Sequence, residues 1–217
     1  MSKLLLATSN SGKLEELRAL LADLVVDLVT PNALGLDLAV DETGHGYAEN
    51  ASLKARAYAA ASGLPALADD SGLEVDALGG APGLHSARFA PQPSATDADR
   101  RAHLLWALAG KAQPWTARFI STICLACEAP KEGAANEVSG GLHSPKKLHT
   151  FFAEGVCQGR ISPEERGTGG FGYDRLFIVG GSERTMAELS MNEKNRLSHR
   201  AKAVENMMRI LKVMVER

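Results

Sequence analysis

No apolar run in the 217-residue sequence approaches the roughly 20 residues that a membrane-spanning helix needs. The apolar run at the N-terminus ends at Ala7 and is too short for a secretory signal peptide. An excess of positive charge is also lacking, because the formal net charge is -2, and this argues against binding to a nucleic-acid polymer. We therefore expect a cytoplasmic protein with no membrane and no nucleic-acid partner, in which local basic residues can still bind a small anion.

Cysteine is scarce as well, and the three cysteines do not suggest a disulfide framework. Cys124 and Cys127 have C-x-x-C spacing, but they lie at the end of a strand-like run, where residues three apart point to opposite faces. The sequence contains no second pair that would complete a zinc site. We predict buried structural thiols, which fits a reducing cytoplasm.

The apolar and charged fractions, 45% and 23%, are those of a globular chain with one large domain or two lobes sharing a core. It opens with a short apolar strand, a polar loop over residues 8–13 and a helix with leucines at helical spacing, which leaves Glu16 on the polar side. The loop would present backbone N–H groups and Lys13 at a helix N-terminus, a natural phosphate site. The alternative is an ordinary helix cap from Ser9 or Ser11.

Residues 66–89 contain two adjacent carboxylates. A short apolar run leads into Asp69 and Asp70, and the following Ser71-Gly72 is typical of a turn, so we expect both carboxylates at the end of a buried strand. Ligands of open α/β sheets bind at such ends. Adjacent carboxylates repel each other, and Mg2+ together with substrate phosphates would relieve that repulsion. The alternative is a solvated Asp-rich turn.

Two further segments resemble parts of a ligand site. The glycines within residues 167–172 free the backbone for close approach to a ligand, and Phe171 and Tyr173 offer flat faces on which a base could stack. A tight turn between two strands is the alternative. Residues 194–200 form a basic cluster in which Ser198 would cap the final helix, and its alternative is a solvated basic face.

The rest of the chain alternates strand and helix patterns. We predict further strands over residues 25–29, 115–127, 148–161 and 176–179, and further helices that begin at Glu49, Asp97 and Met191. A polar loop over Glu128–Lys147 is expected to join the two long strands as a hairpin without carrying chemistry.

Taken together, a phosphate loop, a carboxylate turn, a glycine-aromatic loop and a basic cluster fit a nucleoside triphosphate. Five stretches occur in order over nearly the whole chain: LATSNSGKLEEL, ENASLKARA, ALADDSGLEVDALGGAPGLHSARF, GTGGFGYDRLF and AELSMNEKNRLSHRAKA. With these stretches the sequence resembles the inosine triphosphate pyrophosphatase family, whose members hydrolyse deaminated purine nucleotides.

The resemblance implies an α/β fold with a long twisted mixed β-sheet flanked by helices, and two lobes with a central cleft (ITPase-like). It implies a single domain over residues 1–217 and a homodimer. It also implies Mg2+-dependent hydrolysis of a purine nucleoside triphosphate (dITP, ITP or XTP) to the monophosphate and pyrophosphate.

The same resemblance assigns roles to individual residues. The triphosphate is expected on Thr8, Ser9, Asn10, Ser11, Gly12 and Lys13. Glu42 and Asp70 are expected to bind Mg2+, with Asp70 also acting as the proton acceptor. Further substrate contacts are expected from Lys54, Ser71, Phe171, Gly172, Tyr173, Asp174, Lys194, His199 and Arg200, with Phe171 stacking on the base. Supporting or phosphate contacts are expected from Asp69, Glu49 and Arg88.

Two positions depart from the family pattern without removing a functional group. Ser9 stands where many relatives have glycine, and Arg175 stands where proline is common. The sequence leaves open how dITP, ITP and XTP rank as substrates and which group rejects the 2-amino group of guanine. A related pyrophosphatase acting on modified pyrimidines or methylated bases, and a nucleotide-sensing module without turnover, are the alternative functions.

Overall fold

A computed structural model describes residues 2–128 and 148–215. In these ranges there are six strands: β1 (Lys3–Leu6), β2 (Asp27–Val29), β3 (Ala66–Val75), β4 (Trp115–Glu128), β5 (Leu148–Ile161) and β6 (Phe177–Val179). The α-helices of the same ranges are α1 (Ser11–Leu20), α2 (Tyr47–Ser62), α3 (Asp97–Leu108), α4 (Met191–Leu197) and α5 (His199–Val215). The predicted loop Glu128–Lys147 lies outside the described residues except for Glu128, the last residue of β4.

The strands form one mixed sheet in the order β2-β1-β3-β4-β5-β6. Strand β1 runs parallel to β2 and β3, and the other neighbours are antiparallel. Strands β4 and β5 pair over their full 14 residues each, so they join the two ends of the molecule. The mixed sheet with flanking helices confirms the predicted fold. No helix in the described ranges is both long and apolar enough to cross a membrane.

The apolar core divides into two lobes along this sheet. In one lobe, α1 and α5 pack on one face of the sheet and α2 packs on the other. In the other lobe, α3 buries Leu104 and Leu108 against β3, β4 and Phe177 of β6. Each fully buried leucine of this kind stabilises the fold by roughly 1.5–3 kcal/mol. One sheet therefore carries both lobes and fixes the space between them.

The predicted turn at Ser71-Gly72 is wrong, because β3 continues without interruption through both residues. Asp70 and Ser71 pair with residues of β4, which supplies the backbone hydrogen bonds of a regular ladder. Gly72 is required for a different reason: a Cβ atom there would lie 2.3 Å from the carbonyl oxygen of Gly83 and 2.7 Å from the hydroxyl of Tyr47. Pairing with β4 thus overrides the local turn preference of this segment.

Helix boundaries follow the predictions with small shifts. Helix α1 is capped by Asn10, whose side-chain oxygen accepts the N–H of Lys13 at 3.0 Å, so neither Ser9 nor Ser11 is the cap. Helix α2 begins at Tyr47, two residues before the predicted start. Helix α3 begins at Asp97 behind a capping box, as predicted. The Ser198 hydroxyl accepts the N–H of Ala201 at 3.1 Å, which confirms it as the cap of α5.

Cys124 and Cys157 are free thiols, as predicted. Cys124 and Cys157 are buried, and burial raises the pKa of the Cys124 thiol to about 12. Cys127 is only half-buried, so the prediction of a buried thiol is wrong for this residue.

Candidate active site

A cavity of about 380 Å³ opens between the two lobes and is lined by most of the predicted site residues. The lining includes Thr8, Ser9, Asn10, Lys13, Glu42, Lys54, Asp70, Ser71, Phe171, Gly172, Tyr173, Asp174, Lys194, His199 and Arg200. Ser11 and Gly12 do not line it. Gly12 instead packs under the ring of Phe171, where a Cβ atom would lie 2.4 Å from a ring carbon. The loop at the start of α1 therefore meets the glycine-aromatic loop.

Asp69 and Asp70 point to opposite faces of the sheet. They are consecutive residues of β3, and side chains alternate between the faces of a strand. Asp69 contacts Lys13 and Arg200, whereas Asp70 contacts Lys54 of α2. Each carboxylate therefore has its own set of partners, which offset its charge on its own face of the sheet.

On one face, Asp69 is surrounded by donors. Its Oδ2 lies 2.9 Å from Lys13 Nζ and 2.9 Å from Arg200 Nη2. The hydroxyls of Ser121 and Ser71 donate to its two oxygens. Burial alone would raise the pKa of Asp69, but Arg200 and Lys13 hold it well below its usual range. Asp69 is therefore ionised and serves as the anionic centre of this face.

Two more carboxylates extend this buried network. Glu16 of α1 forms ion pairs with Arg200 and Lys194, and Lys194 also forms one with Asp174. Glu16 is only 2% exposed, so its predicted place on the polar side of the helix is wrong. Its spacing of three residues after Lys13 puts it on the same inward side, and this was the signal that could have found it. Burial, with help from Glu16, raises the pKa of Asp174 despite the nearby Lys194.

On the other face, two carboxylates share one ammonium. Lys54 Nζ lies 3.0 Å from Asp70 Oδ1 and 2.9 Å from Glu42 Oε1. Burial would lower the pKa of Lys54, but Asp70 and Glu42 raise it. The buried amide of Asn50 donates to Asp70 Oδ2 at 3.3 Å and accepts the N–H of Gly44 at 2.8 Å. Asn50 thus ties the segment next to Glu42 to the carboxylate of Asp70.

This pair of carboxylates fits a hard cation. Glu42 and Asp70 each place an oxygen within 3.0 Å of the Lys54 ammonium, so they already converge on one positive charge at the cavity wall. Mg2+ in proteins takes one or two carboxylates and often completes its coordination with substrate phosphates. Residues 2–128 and 148–215 contain no group of three or more His, Cys, Asp or Glu that could hold a metal. Water or a phosphate ligand would therefore have to supply the remaining oxygens.

Phe171 presents its half-buried ring to the cavity between two cations. Lys194 Nζ lies 5.2 Å and Arg200 Cζ 5.7 Å from the ring centroid, within the range of cation–π attraction. Tyr173, in contrast, is buried, and its hydroxyl donates to the carbonyl of Ser86 at 2.8 Å. Tyr173 therefore exposes less of its ring than Phe171 does, although it also lines the cavity, and its hydroxyl supports the loop from within.

His199 lies deeper in the cavity wall and stacks on Phe119, with ring centroids 4.7 Å apart and planes 13° apart. Its Nδ1 is buried and has no hydrogen-bond partner among the described residues. Burial and the adjacent Arg200 hold the pKa of His199 well below its usual value. The imidazole is therefore neutral and has a free polar atom beside the cavity. Phe119 was not singled out from the sequence, where it resembles any apolar strand residue.

The less central predictions give a mixed picture. Arg88 lines the cavity, and its Nε donates to His85 Nδ1 at 3.2 Å. Glu49 is not among the lining residues of this cavity, and it accepts the N–H of His45 at 2.7 Å. Of the two departures from the family pattern, Ser9 is exposed at the cavity, and Arg175 forms an ion pair of 3.7 Å with Glu165.

Comparison with known proteins covers nearly the whole chain. The profile of the Ham1 family matches residues 4–210. A curated Xanthomonas campestris pv. campestris protein, named dITP/XTP pyrophosphatase, is 47% identical over 205 residues, 94% of each chain. The solved structure of a HAM1 protein from Coxiella burnetii gives a TM-score of 0.78 with 38% identity over 100% of both chains. A nucleoside-triphosphatase / dITP/XTP pyrophosphatase from Mycobacterium abscessus gives 0.68 with 35% identity, covering 95% of this chain and 98% of that one.

Proposed function

The chain belongs to the Ham1 family, and on that premise we propose that it hydrolyses the deaminated purine nucleotides dITP, ITP and XTP. The products are the nucleoside monophosphate and pyrophosphate, so the reaction removes these nucleotides from the pool. The family relatives named dITP/XTP pyrophosphatase support this reaction. The observation that carries it is the meeting of three parts in one cavity: the Lys13 loop, the Glu42–Asp70 pair and the ring of Phe171.

In the proposed mechanism, Asp70 orients a water molecule for in-line attack on the α-phosphorus and accepts its proton. The water oxygen forms a bond to the α-phosphorus, and the bond to the bridging oxygen of the β-phosphate breaks. Lys54, which contacts Asp70, and Lys13, which contacts Asp69 on the other face of β3, both line the cavity and would stabilise the charge that grows on the leaving pyrophosphate. Glu42 and Asp70 would hold Mg2+, which when bound neutralises part of the triphosphate charge.

For the base, we propose stacking on Phe171 and hydrogen bonding at the 6-oxo group. Stacking contributes roughly 1–3 kcal/mol but does not distinguish one base from another. A donor from His199, Arg200 or a backbone N–H would bond the 6-oxo group of hypoxanthine or xanthine and would be left unpaired by the 6-amino group of adenine. His199 and Arg200 line the same cavity as Phe171, and this supports the assignment.

Three further properties belong to the proposal. Mg2+ is the metal, held by Glu42 and Asp70. The protein is a homodimer, and it acts in the cytoplasm. Size-exclusion chromatography with light scattering tests the dimer, and a monomer at micromolar concentration would contradict it.

The experiment that tests the function is pyrophosphate release with Mg2+ from dITP and XTP, beside dATP, dGTP and dTTP. We expect fast release from dITP and XTP alone, and its loss in Asp70→Asn. Release from all five nucleotides would support the reaction and contradict the base specificity. Binding of dITP without any release would contradict the enzyme and favour a nucleotide sensor.

A further inference from the structure

The loop that carries Phe171 is held by helix α3 at a single residue. The N–H of Gly172 donates to Asp97 Oδ2 at 2.7 Å, and its carbonyl accepts from Arg101 Nη1 at 2.9 Å. Both backbone polar groups of the residue next to Phe171 are therefore bound by side chains of one helix. Neither Asp97 nor Arg101 belongs to the stretches that pointed to a nucleotide site in the sequence.

The helix is built to present this pair. Asp97 is the first residue of α3 and Arg101 follows four residues later, so the two side chains lie on one helical face as acceptor and donor. A capping box fixes the start of the helix, and its leucines anchor it in the core. Arg101 is only 6% exposed and its Nε lies 2.9 Å from Glu165. A buried arginine with a carboxylate partner holds one position far better than a solvated one.

The other residues of the loop are held by other parts of the molecule. Tyr173 donates to the Ser86 carbonyl, and Asp174 accepts the N–H of Phe171 at 2.9 Å while pairing with Lys194. Gly172 itself has a φ of +59°, a left-handed conformation that glycine adopts readily. Phe171 and the three residues after it all line the cavity, and the ring of Phe171 is half-buried whereas that of Tyr173 is buried.

We propose that Asp97 and Arg101 are positioning residues for the base: by holding Gly172 from both sides, they fix the ring of Phe171 at the distance and tilt at which a purine stacks on it. This inference rests on the proposed function, because it assigns the Phe171 side of the cavity to the base. It adds a substrate-positioning task to helix α3, whose Asp97 and Arg100 also line the cavity.

Loss of the contact has a defined kinetic signature. Without Arg101, the Gly172 carbonyl loses its donor and the loop relaxes, so stacking on Phe171 weakens. We expect Arg101→Ala and Asp97→Ala to raise KM for dITP by about tenfold, which is a typical contribution of stacking on one base. The kcat should change by less than about twofold, because the groups around Asp70 are untouched. Asp97→Asn retains an oxygen that accepts the Gly172 N–H, so it should restore KM to near its original value.

The decisive experiment is a double-mutant cycle with Phe171→Ala. If Asp97 and Arg101 act through the ring of Phe171, Arg101→Ala and Asp97→Ala should change KM by less than about twofold in the Phe171→Ala background. Asp97 also lines the cavity, and a direct contact with the substrate would instead leave its full effect in the Phe171→Ala background. Additive effects therefore overturn the proposal. Arg160→Ala, which breaks an ion pair between β5 and Glu183 in the turn after β6, is the control and should leave KM unchanged.

Calorimetric binding of dIMP to the same variants gives a second readout that needs no turnover. The dissociation constants should show the same non-additive pattern as KM. If Arg101→Ala fails to fold, Asp97→Ala and Asp97→Asn decide the question, because Asp97 is only half-buried. Absence of pyrophosphate release by the unaltered protein would overturn the proposed function. Additive effects in an active protein would overturn only the positioning role.

Discussion

The two faces of strand β3 hold carboxylates in opposite circumstances. On the Asp69 face, three carboxylates meet three cations in a buried network, whose members are Glu16, Asp69, Asp174, Lys13, Lys194 and Arg200. On the Asp70 face, two carboxylates share the single ammonium of Lys54, and Glu42 is about a third exposed. The first face is balanced in charge and mostly buried, although four of its members also line the cavity, and we call it the closed face. The second is short of positive charge and more exposed, and we call it the open face.

This difference separates support from chemistry. A balanced buried network keeps its side chains in one geometry, and removing one member leaves an uncompensated charge. A face with excess negative charge can accept a further cation and a polar substrate, and such sites are where reactive carboxylates are found. We therefore propose that the Asp70 face carries out the hydrolysis and that the Asp69 face shapes the base pocket, with Lys13 as the member that would contact the triphosphate.

The largest expected effect on stability comes from the closed face. Arg200→Met would leave Asp69 and Glu16 buried without their shared partner, which should lower the free energy of unfolding by about 3–5 kcal/mol. Lys54→Met is the matched change on the open face, where water can solvate the carboxylates. It should lower the free energy of unfolding by less than about half of the loss in Arg200→Met. Urea unfolding monitored by circular dichroism measures both variants. Equal losses of unfolding free energy would contradict the proposed difference between the two faces.

The open face should govern the response to Mg2+. Glu42→Gln removes one of the two carboxylates that converge on Lys54, so the Mg2+ concentration for half-maximal turnover should rise by at least about tenfold. Titration of pyrophosphate release with Mg2+ and calorimetry of Mg2+ binding measure this shift. Glu16→Gln on the closed face is the comparison and should leave the Mg2+ requirement unchanged. A shift of the Mg2+ requirement in both variants would contradict the assignment of Mg2+ binding to the open face.

The smallest effect is a pH dependence of stability that belongs to the closed face. Burial and Arg200 depress the pKa of His199 in the folded state, although Asp69 opposes this, and Lys194 and Lys13 also face it. The unfolded chain therefore binds a proton near pH 6.5 that the folded chain does not, so stability is present above that pH and falls as the pH drops below it. The slope should approach about 1.4 kcal/mol per pH unit.

His199→Gln should remove this slope between pH 6.5 and 5, as measured by urea unfolding at several pH values. His45→Gln, at the start of α2, serves as the control and should retain it. A slope that persists in His199→Gln would place the responsible group elsewhere.

Much of the fold and the cavity could be predicted because the relevant signals are local or follow motif resemblance. The loop before α1, the helix cap at Thr96 and the two long strands come from short patterns that the structure confirms. The residues of the glycine-aromatic loop were found through a stretch that resembles a known family. In these cases, propensity, capping and motif agree with the tertiary structure.

The errors share a cause, which is pairing between distant segments. Asp69 through Gly72 resemble a turn until β4 pairs with them, some 50 residues later in the chain. Glu16 resembles a surface residue until Arg200 reaches it from α5. Asp97 and Arg101 were not singled out from the sequence, because their shared partner is Gly172, more than 70 residues later in the chain. The neighbouring sequence of these residues does not indicate which distant residues they contact.

The most direct test of the account compares Asp69→Asn with Asp70→Asn, two isosteric changes at adjacent residues. For Asp70→Asn we predict a fall in kcat of roughly 10²- to 10⁴-fold, with the free energy of unfolding changed by less than about 1 kcal/mol. For Asp69→Asn we predict a loss of about 3 kcal/mol of stability, with kcat of the folded protein retained within about tenfold. Near-normal turnover in Asp70→Asn, or similar profiles for both variants, would contradict the account.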